Sequence, residues 1–134
     1  MDYEADPIST KALWSGRVLS GLLILFLLFD CTIKFLDLDM VREASAQLGW
    51  PTDISRLLGA LLLISTLLYV FPRTAVLGAI LLTGYLGGAV ATHLRIGSPL
   101  FTHTLFGVYL GLLAWGGLYL RDPRLRALIP WRRD

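Results

Sequence analysis

The sequence is poor in cysteine, histidine and charge. Cys31 is its one cysteine, which excludes an intramolecular disulfide, a CxxC redox pair and a cysteine-built zinc site. Charged residues make up 16% of the 134 residues, and the formal net charge is +2. So small a surplus does not suggest nucleic-acid binding. The N-terminus lacks the positive charge of a secretory signal. Asp2, Glu4 and Asp6 stand there instead, and the apolar run that follows is too long for a signal-peptide core. No glycine-rich phosphate loop follows a strand pattern, and no Ser-His-Asp order carries the signals of a nucleophile elbow. Internal repeats and low-complexity tracts are also lacking.

Apolar residues are what the chain has in excess. They reach 55%, with a mean hydropathy of +0.65, far above an ordinary soluble domain. Four apolar runs stand out, at about 14–36, 54–71, 74–94 and 100–120. Each is near the roughly 20 residues that cross a bilayer, the second being shortest. Backbone polar groups cannot stay unpaired in lipid, so the runs are expected to be helices. The sequence predicts an all-α, four-helix transmembrane bundle forming a single domain over residues 1–134. Phe71-Pro72-Arg73 and Gly97-Ser98-Pro99 mark tight turns between antiparallel neighbours. Between the first two spans, Met40, Val41, Ala44 and Leu48 repeat at helical spacing, with Arg42, Glu43 and Gln47 between them. This predicts a short interfacial amphipathic helix ending near Gly49. Trp14, Tyr69, Trp115, Tyr119 and Trp131 lie near span ends, as interfacial aromatics do.

Four spans put both termini on one side. Eight lysines and arginines fall on that side and four on the other, so the termini are expected in the cytoplasm of a bacterial inner-membrane protein. The five arginines from Arg121 to Arg133 read as a topology anchor touching anionic lipid, in preference to a nucleic-acid patch.

The opposite end gathers the ionisable residues. Asp30 and Lys34 close the first span, Arg56 opens the second, His93 and Arg95 close the third, and His103 opens the fourth. At 100° per residue, Asp30 shares a face with Gly16, Ser20, Leu23 and Leu27, and His103 shares one with Gly107, Ala114 and Gly117. Both are expected to point inward, with Gly111 at the edge of that second face. Gly84, Gly88, Ala91 and Arg95 form a further face, expected to pack a neighbouring helix. His93 lies nearly opposite that face and is expected at the interface.

Every candidate has two readings. Asp30 and Lys34, spaced i, i+4, form either a self-neutralising pair or a proton-holding carboxylate beside a cation. Tyr85 is either satisfied by a neighbouring helix or free to donate to a ligand carbonyl. His93 and His103 are interfacial histidines bonded to loop carbonyls, or part of a pocket for a ligand headgroup. Their spacing fits no metal-ligand motif, so no metal is expected. Arg95 is an interface anchor or an anion contact. Cys31 is expected to be an inert packing residue. The GxxxG spacings Gly84–Gly88 and Gly107–Gly111 serve either the chain's own bundle or a second copy.

The run LLTGYLGGAVATHLRIGSPLF, then LAWGGLYLRDPRLRALIP, with QLGWP, LLGALLL and FPRTAVLGAILLTGY before them, resembles the DoxX-like family of small four-span bacterial membrane proteins. The resemblance reaches from about Leu13 to Pro130. It implies a four-helix membrane bundle. The family name comes from a membrane component of a thiosulfate:quinone oxidoreductase, and some relatives are associated with redox or oxidative-stress systems. The matching positions are Gly84, Tyr85, Gly87, Gly88, Thr92, His93, Arg95 and the Arg121-Asp122-Pro123 exit. The absence of a cysteine pair speaks against a thiol–disulfide role. The expected function is a small subunit of a membrane redox system, not an enzyme on its own. It would bind a lipophilic ligand such as a quinone in its outer half, with Asp30 and His103 handling protons and Arg95 or Tyr85 orienting the ligand. The alternatives are a non-catalytic scaffold that holds a partner subunit or a second copy, and a small oligomeric transporter.

Overall fold

The computed structural model describes residues 8–51 and 53–131. Asp2, Glu4, Asp6, Arg132 and Arg133 lie outside the described residues. Helix α1 covers Thr10–Phe35, α2 Asp39–Gln47, α3 Ser55–Val70, α4 Ala75–Ile96, α5 Phe106–Arg121 and α6 Pro123–Leu128. A π-helical turn, Leu100–Thr104, leads into α5. Among the described residues there is no strand.

The termini of these helices follow from local chemistry. Ser9 caps α1, its hydroxyl accepting from the Ala12 amide at 3.2 Å. Asp37 then adopts φ 53°, a left-handed conformation that aspartate tolerates better than most side chains, and the chain turns into α2. Gly97, at φ 71°, ends α4, and the Ser98 amide donates back to the His93 carbonyl at 3.1 Å. The expected short helix between the first two spans is therefore α2.

Helix α1 packs on α3 and α5, and α4 packs on the same two. The four long helices thus close a ring in which α1 and α4 are diagonal. Small residues let them meet. A Cβ added to Gly16 would stand 2.7 Å from the Gly117 carbonyl oxygen, and one added to Gly78 would collide with the Tyr69 amide nitrogen. Leu23, Leu27, Leu62, Leu82, Ala114 and Leu118 fill the centre. The outward faces of Val18, Leu22, Leu25, Phe29, Leu61, Ile64, Ile80 and Leu112 stay exposed. On a soluble protein so much apolar surface would drive association; in lipid it costs nothing.

Lipid offers no hydrophobic drive between helices, so packing and hydrogen bonds must hold them. Tyr69 carries much of this. It is fully buried, and its hydroxyl donates to the Ala114 carbonyl at 2.7 Å and accepts from Ser20 Oγ at 2.7 Å. One side chain on α3 thereby ties α1 and α5 together. This corrects the expectation of an interfacial Tyr69. A second tie runs from Trp115 Nε1 to Thr83 Oγ1 at 2.7 Å, joining α5 to α4.

Three segments are long and apolar enough to cross a membrane: Thr10–Phe35, Ala75–Ile96 and Leu100–Arg121. Helix α3 is apolar but shorter, at 16 residues. The second span, expected to be the shortest, is the one that falls short.

Candidate functional site

The tight packing of α4 stops at Leu86. Its buried residues are Ala75, Gly78, Ala79, Leu82 and Leu86, none of them in its last ten residues. Beyond Leu86 the bundle opens. Gly84 and Gly88, expected to pack a neighbouring helix, instead line a cavity of about 510 Å³, and a Cβ at either would meet nothing within 4 Å. Helical phase could not foresee this, because a helix apolar all round gives no contrast to read. The small residues that do seat a neighbour are Ala75, Gly78 and Ala79, one turn and more upstream. Gly107 behaves as expected: its added Cβ would stand 3.0 Å from the Leu86 carbonyl oxygen, whereas at Gly111 it would meet nothing.

Residues from every long helix wall the cavity. Helix α1 supplies Phe26, Asp30, Ile33 and Lys34, α3 supplies Leu58, and α4 supplies Gly84, Tyr85, Leu86, Gly88, Ala89, Thr92 and His93. The π-helical turn supplies His103, and α5 supplies Phe106, Gly107 and Leu110. Helix α2 roofs it with Met40, Val41, Ala44, Ser45 and Leu48, followed by Trp50. The roof is amphipathic, as its spacing predicts. Val41 and Ser45 are buried beneath it.

The polar groups divide into two clusters and a lone hydroxyl. On α1, Lys34 Nζ donates to Asp30 Oδ2, both side chains largely withdrawn from solvent at 17% and 25% exposure. The pair is neutral as a unit. Across the cavity the rings of His93 and His103 meet edge to face at 5.9 Å. His93 Nδ1 bonds Ser98 Oγ at 2.9 Å, and His103 Nδ1 bonds Thr102 Oγ1 at 2.8 Å. With each Nδ1 engaged, neither Nε2 has a hydrogen-bond partner among the described residues. Tyr85 is half-buried in the wall, and among the described residues its hydroxyl has no hydrogen-bond partner.

His93 thus lines the cavity, although its phase on α4 puts it nearly opposite the Gly84 face. A π-helical turn brings His103 to it. The Thr104 amide reaches back to the Pro99 carbonyl and the Leu105 amide to that of Leu100, at 3.1 and 2.9 Å. Each π turn holds an extra residue, so the phase counted along α5 does not apply to His103. Arg95 also departs from expectation. It stands outside the cavity wall, exposed, and its Nη2 donates to the Leu48 carbonyl at 2.5 Å. That carbonyl belongs to the C-terminal end of α2, where a cation is favoured. Arg95 is a brace on the roof.

Among the described residues no group of three or more His, Cys, Asp or Glu side chains converges as metal ligands would. Cys31 is buried within the core. Sequence reasoning missed the roof and its brace, whose one signal was the amphipathic spacing of α2.

The model of the DoxX-like family matches residues 18–117, and the chain belongs to that family. No curated protein and no solved structure shows a significant match. Family membership together with the apolar helices makes this an integral membrane protein.

Proposed function

From that membership and the cavity, we propose that the protein is a small membrane subunit of a redox system that binds a lipophilic, quinone-like molecule. In this reading both termini are cytoplasmic, the membrane is the bacterial inner membrane, and the cavity lies in the outer half. The observation that carries the reading is the Tyr85 hydroxyl, which has no hydrogen-bond partner among the described residues and shares a largely apolar cavity with the imidazoles of His93 and His103. A half-buried hydroxyl without a protein partner is costly unless something else accepts from it. The volume of about 510 Å³ falls within the range of small-molecule sites.

The residues suit such a ligand. Tyr85 and the Nε2 atoms of His93 and His103 supply hydrogen bonds to ring oxygens. Phe26, Ile33, Phe106 and Leu110 supply apolar walls, and the open glycine track at Gly84 and Gly88 leaves room for a flat ring. A quinone, when bound, supplies two-electron chemistry coupled to protons. Asp30, held by Lys34, and His103, exposed to solvent, are placed to exchange those protons with the outside. Roof helix α2 limits the entry of water from above.

The test is gentle detergent purification followed by native mass spectrometry and titration with a short-chain quinone. Wild-type protein should carry or take up one quinone, and Tyr85→Phe should bind it several-fold less tightly. Absence of binding in the folded wild type would reject the reading.

A second reading rests on Gly87. It is exposed, lies outside the cavity lining and has nothing within 4 Å of an added Cβ. A scaffold that holds a partner subunit or a second copy against this side of α4 would use that space. Crosslinking through Gly87→Cys distinguishes it: efficient dimer formation in membranes favours the scaffold, and its absence removes the reading.

A further inference from the structure

A second recess lies at the end of the bundle that carries the termini, between the α3–α4 turn and α6. Its volume is about 450 Å³. Arg73 and Val76 stand on one side, and Arg124, Leu125 and Leu128 on the other.

The arginines at this end divide by what they touch. Arg121 Nε donates to the Gly117 carbonyl at 3.2 Å, and its guanidinium lies 5.8 Å over the Tyr69 ring. Arg126 donates to the carbonyls of Tyr119 and Leu120 at 2.7 and 3.1 Å and lies 5.4 Å over the Tyr119 ring. These two close the C-terminal end of α5. Arg17 rests over Trp14 at 5.1 Å. The guanidiniums of Arg73 and Arg124 have no hydrogen bond, ion pair or aromatic partner among the described residues, and both are exposed. Asp122 is the recess's one carboxylate, and its Oδ1 already accepts from the Arg124 amide at 2.9 Å.

Two cations without such partners therefore border one recess with Val76, Leu125 and Leu128, beside a single carboxylate. Arg73 is fixed from one side, since Thr74 Oγ1 donates to the Leu68 carbonyl at 2.7 Å and stiffens the turn. Arg124 is fixed from the other, since Leu125 is buried in the core and anchors α6. Val76 and Leu128 are exposed beside them, in line with the lipid-facing surface of α4. Guanidiniums bind phosphate oxygens in a bidentate manner, and the exposed apolar wall suits a hydrocarbon chain.

We propose that this recess binds the phosphodiester headgroup of an anionic phospholipid, with one acyl chain running along Val76 and Leu128. The site is separate from the cavity and stands or falls without it.

Native mass spectrometry tests this with phosphatidylglycerol, with phosphatidylcholine of the same chains, and with inorganic phosphate as probes. Wild-type protein should retain phosphatidylglycerol in preference to phosphatidylcholine, and retention should fall as ionic strength rises. Arg73→Gln and Arg124→Gln should each lower it by about fivefold, while the paired lysine substitutions keep part of it. The thermal midpoint without added lipid should be unchanged in all variants, since neither guanidinium has a hydrogen-bond, ion-pair or aromatic partner among the described residues. Equal retention of the two lipids, or unchanged retention in the Arg73→Gln, Arg124→Gln double variant, would overturn the proposal. Protection by inorganic phosphate that matches protection by phosphatidylglycerol would also overturn it, in favour of a soluble phosphate.

Discussion

The imidazoles of His93 and His103 face each other across a helix break, ring centroids 5.9 Å apart and planes inclined at 64°. Each engages a neighbouring hydroxyl, Ser98 or Thr102, through Nδ1, and both residues line the cavity. Replacing either by glutamine should weaken binding of a short-chain quinone about fivefold, the equivalent of one hydrogen bond of about 1 kcal/mol. Calorimetric titration in detergent measures this. Unchanged affinity in both variants would leave the imidazoles without a part in binding.

Gly88 separates binding from folding. Its open Cβ direction means that leucine there meets no protein atom at Cβ, and replacing a mid-helix glycine gains about 1 kcal/mol of helix propensity. Gly88→Leu should therefore be at least as thermally stable as wild type, yet lose quinone binding by more than about tenfold because the side chain occupies the cavity. A variant that aggregates or falls apart, with ligand binding intact in its folded fraction, would show that Gly88 packs against a partner.

Arg95 holds the roof. Its bond to the Leu48 carbonyl is charge-assisted but solvent-exposed, so a contribution of roughly 1 kcal/mol is reasonable. Arg95→Gln should accelerate amide exchange in Val41 to Leu48 about fivefold and leave α1 and α4 unchanged. Equal exchange in α2 of both proteins would mean that the roof is held by its apolar face alone.

The corner before α2 is pH-sensitive. The Arg42 guanidinium bonded to Asp37 holds that carboxyl below the usual carboxylate range, and Arg56 adds to the effect. A depressed acid stabilises the folded corner above its unfolded pKa of about 3.9, and that stabilisation is lost as pH falls through the lower folded value. Trp50 fluorescence should therefore report loosening of the roof only below about pH 4. Asp37→Asn keeps a side chain that tolerates the left-handed backbone and removes the charge. Its fluorescence should already resemble the acid form at neutral pH.

Much of the bundle was legible in the residues. The long apolar runs and the Pro72 and Gly97–Pro99 breaks located the helices, and the spacing of Met40, Val41, Ala44 and Leu48 located α2. The inward face of α1, from Gly16 through Leu27, was readable because Asp30 and Lys34 gave its far end a polar mark. Helix α4 offered no such contrast, so the packed stripe at Ala75, Gly78 and Ala79 was passed over for Gly84 and Gly88, which border empty space. The partner of His103 was hidden by the π-helical turn, since a phase argument assumes a constant period. The place of Tyr69 near a span end points to the interface. Nothing in sequence showed that Ser20 and the Ala114 carbonyl would meet its hydroxyl.

The unequal lengths of α1 and α3 carry a consequence for the surrounding bilayer. At 1.5 Å per residue, α1 rises about 39 Å and α3 about 24 Å, the latter short of a hydrocarbon layer of about 30 Å. Lipids beside α3 must compress or tilt to cover it, at fractions of a kcal/mol per Å of mismatch. Helix α2 touches α3, so the lipids that adjust to α3 border the roof, and a thinner membrane should relax them. Membrane thickness thereby becomes a variable that acts on the cavity's cover without any ligand touching it.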